Sequence, residues 1–267
     1  MKYQYNKLIV VNEKEDQIDE ETITTDEILS LPDNEQEKLR TELEDLYTYA
    51  FPKISRNDLS IYVRDYFIQG DKNFQRRVIL FRNEARNLIA TNICNCGVIK
   101  YTDRIMNGAY IINSVILSEY QGYGIGKIIG LKLLTELKPD VLFTTTAQSS
   151  ALHSRVGLIK KGLVTGYEVY PRLEQINGKD ILINLPFNEL DFAISAFKQV
   201  YSNVVENDHE AVNDAIRNLT VFMVRKNLYN EMYDFDPWKK NGMEDKLAKA
   251  LGARNKDGVL VMFRKKY

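Results

Sequence analysis

The fourteen residues from Ser114 to Lys127, SVILSEYQGYGIGK, constrain this chain more than any other stretch. An apolar, strand-like run from Ala109 to Leu117 leads into them, and Gly122, Gly124 and Gly126 follow within five residues. Ile125, Ile128, Ile129, Leu133, Leu134 and Leu137 then fall near a 3.6-residue period, with Pro139 just beyond, which predicts a helix. A strand, a glycine turn and a helix N-terminus together make a seat for an anion. The first helical N–H groups lack intrahelical partners, the helix dipole adds partial positive charge, and glycine lets a ligand approach the backbone.

Spacing narrows the choice of anion. A P-loop requires G-x-x-x-x-G-K-S/T, whereas Lys127 is followed by Ile128. A dinucleotide fingerprint requires G-x-G-x-x-G and an acid about 20 residues on, at the end of the next strand. Here the glycines run G-x-G-x-G, and the next strand-like run, Val141 to Thr146, continues into Ala147 and Gln148 without an acid. The pattern met in full is Q/R-x-x-G-x-G/A, at Gln121, Gly124 and Gly126. In this setting it resembles the acyl-coenzyme A pyrophosphate loop of the GNAT N-acetyltransferases. The approach through Ile116, Leu117, Ser118, Glu119 and Tyr120 is similar too, with Ser118 where that family usually has proline. The resemblance is specific over residues 114–127 and extends over roughly residues 76–170.

That resemblance implies an acyl-CoA-dependent transfer, with acetyl-CoA as cosubstrate, no metal and an amine-bearing acceptor. It places Ile116, Leu117 and Ser118 along the pantetheine arm. The pyrophosphate falls on Gln121, Gly122, Tyr123, Gly124, Ile125 and Gly126, with Lys127 adding charge. Thr146 falls where the family often has a coenzyme-contacting asparagine, and His153 near its acid tyrosine, one residue off in the spacing to glycine. His153 is therefore the candidate general acid, since an imidazole titrates near neutral pH. Tyr167 and Tyr170 are candidates for the acceptor side, and no general base is assigned. Two other readings stay open. One is an inactive CoA-binding sensor or interaction module. The other is a GNAT-fold nucleic-acid-modifying enzyme, with Lys160, Lys161 and Arg264 to Lys266 on phosphates.

A formal net charge of −1 gives no support to a whole-surface nucleic-acid binder. No apolar run reaches membrane-span length and the first residues lack a signal-peptide core, so a cytoplasmic protein with no membrane partner is expected. Cys94 and Cys96 are the only cysteines; two apart on a strand they share a face, and they read as buried thiols.

The expected fold class is α/β (α+β): a GNAT-like mixed, mainly antiparallel central sheet with a βαβ cofactor unit and a helical C-terminal extension. Leu8 to Val11 reads as a first strand. The acid-rich residues 13–37 read as a solvated loop and helix start, or as a collar attracting a cationic amine. Helices follow over Leu39 to Ala50 and Asp58 to Ile68, the latter stopped by Gly70. Strands are expected at Arg77 to Phe81, Asn87 to Cys96 and Tyr110 to Leu117, with a turn over Asp103 to Gly108. After Val141 to Thr146 come a helix over 147–162, opened by Ser149 or Ser150, and strands at 163–170 and 181–185. Domain bounds are a core over 1–186, a helical insertion or extension over 187–240, and a helix and closing strand over 241–267 completing the core. Two helices are read in 187–232, the second spaced by Val212, Ile216, Leu219 and Met223. Their apolar faces read as core, with a substrate lid or a homodimer face as the alternative.

Overall fold

The computed structural model describes residues 7–11, 14–68, 74–146, 148–201, 223–225, 239–240, 243–253 and 257–266. They belong to two compact units, Met1–Cys96 with Ile111–Ile129, and Gly97–Tyr110 with Gly130–Tyr267. Strands β4 (Leu88–Tyr101) and β5 (Arg104–Ile116) contribute residues to both.

In the first unit β1 (Lys7–Val11), β2 (Lys14–Thr24), β3 (Gln75–Arg82) and β4 pair in that order, each antiparallel to the last, and β5 follows β4. The first part of the acid-rich segment is therefore a strand, β2, in place of the expected loop, while the expected helix start follows it from Thr25 and again from Asp33. The register of β2 explains why it is a strand. Asp19 lies opposite Arg82 and ion-pairs with Arg86, so basic residues answer that acid, while Glu20 and Glu21 lie opposite the apolar Phe81 and Leu80. Three helices, α1 (Thr25–Leu29), α2 (Asp33–Ala50) and α3 (Arg56–Val63), supply the rest of this unit's core.

Local chemistry sets their ends. Thr24 accepts from the Glu27 amide at 3.2 Å while Glu27 accepts from the Thr24 amide at 2.8 Å, a capping box for α1. Ser55 caps α3, accepting from the Asp58 amide at 3.1 Å, and the helix runs on as a wider π turn over Arg64–Ile68. Leu39, Leu43, Leu46 and Tyr47 form the buried stripe of α2. The Tyr47 ring meets Tyr62 at 5.3 Å and Phe67, edge-on, at 5.6 Å. Gly70 lies outside the described residues.

The second unit carries β6 (Val141–Thr146), α5 (Ser149–Lys160), β7 (Tyr167–Tyr170), a β8–β9 hairpin (Arg172–Ile176, Lys179–Ile183) and α6 (Leu190–Tyr201). Further on are β10 (Met223–Arg225), the short pair β11 (Lys239–Lys240) and β12 (Met243–Glu244), α7 (Lys246–Leu251) and β13 (Asp257–Lys265). Strand order runs β5-β6-β13-β10, and β7 also pairs with β13. β13 is antiparallel to β6, β7 and β10, and Val259 to Phe263 are buried throughout. Helix α4 (Ile125–Lys132) connects β5 to β6 in the chain, so β5, α4 and β6 make the strand–helix–strand unit. The fold is α/β with a mainly antiparallel sheet.

Two expectations change here. The turn expected over Asp103 to Gly108 is only Thr102 and Asp103, with Thr102 at φ +49°, and β5 starts at Arg104. Asp140 holds the next residues extended: its carboxylate accepts from the Asn107 amide at 2.8 Å, and its own amide donates to the Asn107 carbonyl at 2.8 Å. Met223 belongs to strand β10, opposite Val259, not to a helix. Val212, Ile216 and Leu219 lie outside the described residues.

The aromatic centre of this unit is Phe197 of α6, against Phe143 at 5.4 Å and Tyr110 at 6.0 Å. Nearby, a Cβ at Gly108 would overlap the Ile99 side chain and come within 3.3 Å of Val200. Gly108→Ala is expected to destabilise by about 1–3 kcal/mol through overpacking. Urea unfolding checks this, and a combined Ile99→Ala change should recover part of the loss.

Candidate active site

The glycine stretch is built within the first unit. Leu117 ends the strand by donating its amide to the Ile89 carbonyl at 3.0 Å. A single 3-10 turn, Ser118–Tyr120, then reverses the chain, with the Tyr120 amide on the Leu117 carbonyl at 2.9 Å. Tyr120 is buried and anchors the turn, its hydroxyl accepting from Asn83 at 3.1 Å. Gln121 reaches back, and its side-chain amide donates to the Ile116 carbonyl at 3.0 Å. That bond closes a loop over residues 116–121 and gives a physical reason for glutamine at the head of the pattern.

Gly122 and Gly124 both have φ +90°, a region that a side chain at Cβ disfavours. Helix α4 opens immediately after, at Ile125, and the amides of Lys127 and Ile128 donate to the Gly124 carbonyl at 3.0 and 3.1 Å. Ile125 and Ile129 are buried and fix the helix, whereas Lys127 is exposed. Tyr123, Gly124 and Gly126 are half-buried along the same turn. Glu119 is exposed and takes the Ser118 hydroxyl at 3.2 Å.

Ahead of the turn, β5 departs from strict alternation. Ile112 and Val115 pack on the same hydrophobic cluster although they are three residues apart. Between them Asn113 and Ser114 are half-buried, and Asn92 donates to the Asn113 carbonyl at 2.9 Å and to the Ser114 hydroxyl at 2.8 Å.

Thr146 and His153 belong to the second unit. Thr146 is buried at the end of β6, and its hydroxyl accepts from the Gln148 amide at 3.2 Å. His153 lies on α5 with an exposed ring, and its Nε2 is bonded to Asp245. Ser149 donates to the same Asp245 oxygen at 2.6 Å. The hydroxyl expected to open α5 is thus used elsewhere, and Gln148 occupies the cap position without a side-chain bond. The other Asp245 oxygen accepts from the Leu247 and Ala248 amides at 2.9 Å each and caps α7.

Burial of Asp245 by itself would raise its pKa. The hydrogen bonds from His153, Ser149 and the Ala248 amide outweigh that and hold it at about 2. An ionised carboxylate only accepts, so His153 carries a proton on Nε2 and donates it. Asp245 is the residue that reading the chain alone misses. Its available signal is local: an Asp directly before Lys246–Leu251, a helix that ends at Gly252.

Tyr167 is buried, with its hydroxyl donating to the Pro139 carbonyl at 2.8 Å; burial, with the Asp140 charge, pushes it up to about 12. Tyr170 donates to Glu168 at 2.8 Å. Both tyrosines thus have protein partners. Arg264 pairs with Glu189, and Lys265 lies 3.7 Å from Asp140, which weakens the reading of this basic run as a phosphate contact.

No protein-family model matches the chain, and no curated protein does. Solved structures similar to it include a GNAT family acetyltransferase of Staphylococcus aureus, at 21% identity over 45% of this chain and 75% of that one, with a TM-score of 0.29. Another is the spermidine N-acetyltransferase of Vibrio cholerae in complex with CoA and spermine, at 16% identity over 61% and 92%, with a TM-score of 0.32. A third is an aminoglycoside acetyltransferase from an uncultured soil metagenomic sample in complex with sisomicin, at 16% identity over 63% and 97%, with a TM-score of 0.37. The strand–helix–strand unit and mainly antiparallel sheet described above agree with the architecture expected from the family that residues 114–127 resemble. Among the described residues no helix is long and apolar enough to cross a membrane.

Proposed function

We propose that the chain is an acyl-CoA-dependent acyltransferase of the GNAT type. More narrowly, it transfers acetyl from acetyl-CoA to an amine by direct attack on the thioester. The observation that carries this reading is the turn itself: Gln121 tied to Ile116, Gly122 and Gly124 both at φ +90°, and α4 opening at Ile125. Such a turn aims the first amides of a helix at one point, and a pyrophosphate suits it in charge and in number of acceptor oxygens.

In this reading residues 121–127 hold the pyrophosphate. Ile116, Leu117 and Ser118 line the pantetheine arm, and Thr146 contacts the coenzyme. Coenzyme A supplies the activated acyl group as a thioester. The attacking amine must be neutral, the carbonyl oxygen that gains charge needs N–H donors, and the thiolate leaves as a good leaving group or takes a proton. His153 is the residue proposed to supply that proton, with Asp245 orienting its ring.

Calorimetric titration of the full chain with acetyl-CoA tests the reading. Saturable one-site binding, followed by CoA release with an amine acceptor, is expected. A folded protein that takes no acetyl-CoA would leave the turn a structural feature only.

A further inference from the structure

Cys94 and Cys96 are the chain's only cysteines, and β4 carries both on one face. Cys94 is buried and Cys96 half-buried, and their sulfurs stand 3.8 Å apart. Residues two apart on a strand are separated by about 6.6 Å along its axis, so these side chains lean together.

A direct disulfide suits the pair poorly. It needs sulfurs about 2.05 Å apart and Cα atoms within about 6.8 Å, and two extended residues lie at the outer end of that range. One atom held by both sulfurs suits it better. Two bonds of about 2.3 Å, the length zinc makes to thiolate, span about 3.3 Å at the right angle of a pyramidal centre and about 3.8 Å at a tetrahedral one, so a small side-chain adjustment seats either. Zinc itself would need more ligands, and among the described residues no group of three His, Cys, Asp or Glu comes together. A soft centre that takes two thiolates and brings its own third substituent needs nothing further from the protein. Arg77 lies directly opposite Cys94 in the β3–β4 register and supplies positive charge beside the pair.

We propose that Cys94 and Cys96 form a dithiol site for a thiophilic metalloid, specifically an organic trivalent arsenical. Two As–S bonds form as two As–O bonds break in the hydrated arsenical. Each thiol proton leaves with a hydroxide as water, so no oxidant or reductant takes part.

Phenylarsine oxide added to the full reduced chain tests this. One equivalent should remove both titratable thiols, add a single adduct to the intact mass, and be released by a dithiol but not by excess monothiol. Cys96→Ser should hold the arsenical at least about 100-fold more weakly, because a chelate gains its affinity from the second, intramolecular bond. Loss of only one thiol, release by monothiol, or undiminished retention by Cys96→Ser would overturn the proposal. With no other cysteine in the chain, the unmodified protein decides the question even if the variant fails to fold. Gly124→Asp should bind the arsenical unchanged, since the site is independent of acyl transfer.

Discussion

Gly124→Asp is expected to abolish the acetyl-CoA binding proposed above in a protein that stays folded, which calorimetric titration beside circular dichroism checks. Gly124 stands at φ +90°, where a residue with a Cβ is strained by about 1–2 kcal/mol. That cost is local, because Leu117, Tyr120 and Gln121 anchor the turn through bonds that do not involve Gly124. The larger effect falls on the ligand. The new carboxylate stands at the mouth of α4, where a pyrophosphate would lie, and two unit charges about 4 Å apart near a protein surface repel by roughly 4 kcal/mol. An affinity loss of more than about 100-fold follows. Gly124→Ala shares the strain without the charge and should keep measurable binding. An aspartate variant that binds as tightly as the parent would remove the pyrophosphate from this turn.

Asp245→Ala should destabilise the protein by about 2–3 kcal/mol, combining a lost helix cap with the loss of the acceptor for two side chains. Urea unfolding measures this. The same carboxylate sets a pH dependence with a definite sign. Its folded pKa, about 2, lies below the ordinary 3.8, so its stabilisation is complete above about pH 4 and vanishes as pH falls through about 2. Asp245→Asn, which can still cap α7, should lose that acid-range dependence. If His153 serves as the acid, both Asp245→Asn and His153→Ala lower kcat and leave the KM for acetyl-CoA unchanged. Unaltered turnover in His153→Ala would remove the histidine from the reaction and leave it a tie to α7.

What could be read from the chain alone tracks how local each signal is. The glycine turn is legible because its spacing, its strand and its helix all lie within about twenty residues of one another. Leu39, Leu43, Leu46 and Ala50 announce α2 for the same reason. β2 is not legible. Its run of acids reads as solvated until β3 sets Arg82 across from Asp19 and Arg86 pairs with it, and neither neighbour is near in sequence. The bond between His153 and Asp245 is hidden likewise, since it spans most of the C-terminal part of the chain. The β8–β9 hairpin was available to a closer reading. Asn177 and Gly178, at φ +51° and +77°, are the dipeptide that favours a two-residue turn. The short strand at Met223 carries no local mark, because its partner, β13, lies more than thirty residues downstream.

The place of β13 bears on how the protein is made. Thr146 waits for Val259, so β6 leaves the ribosome long before the strand that pairs with it. At translation rates of about 5–20 residues per second, the exposed edge of β6 persists for several seconds or more on the nascent chain. An apolar strand edge held open that long invites pairing with other chains. Slower elongation through the intervening residues should therefore lower the yield of native protein unless a chaperone covers that edge.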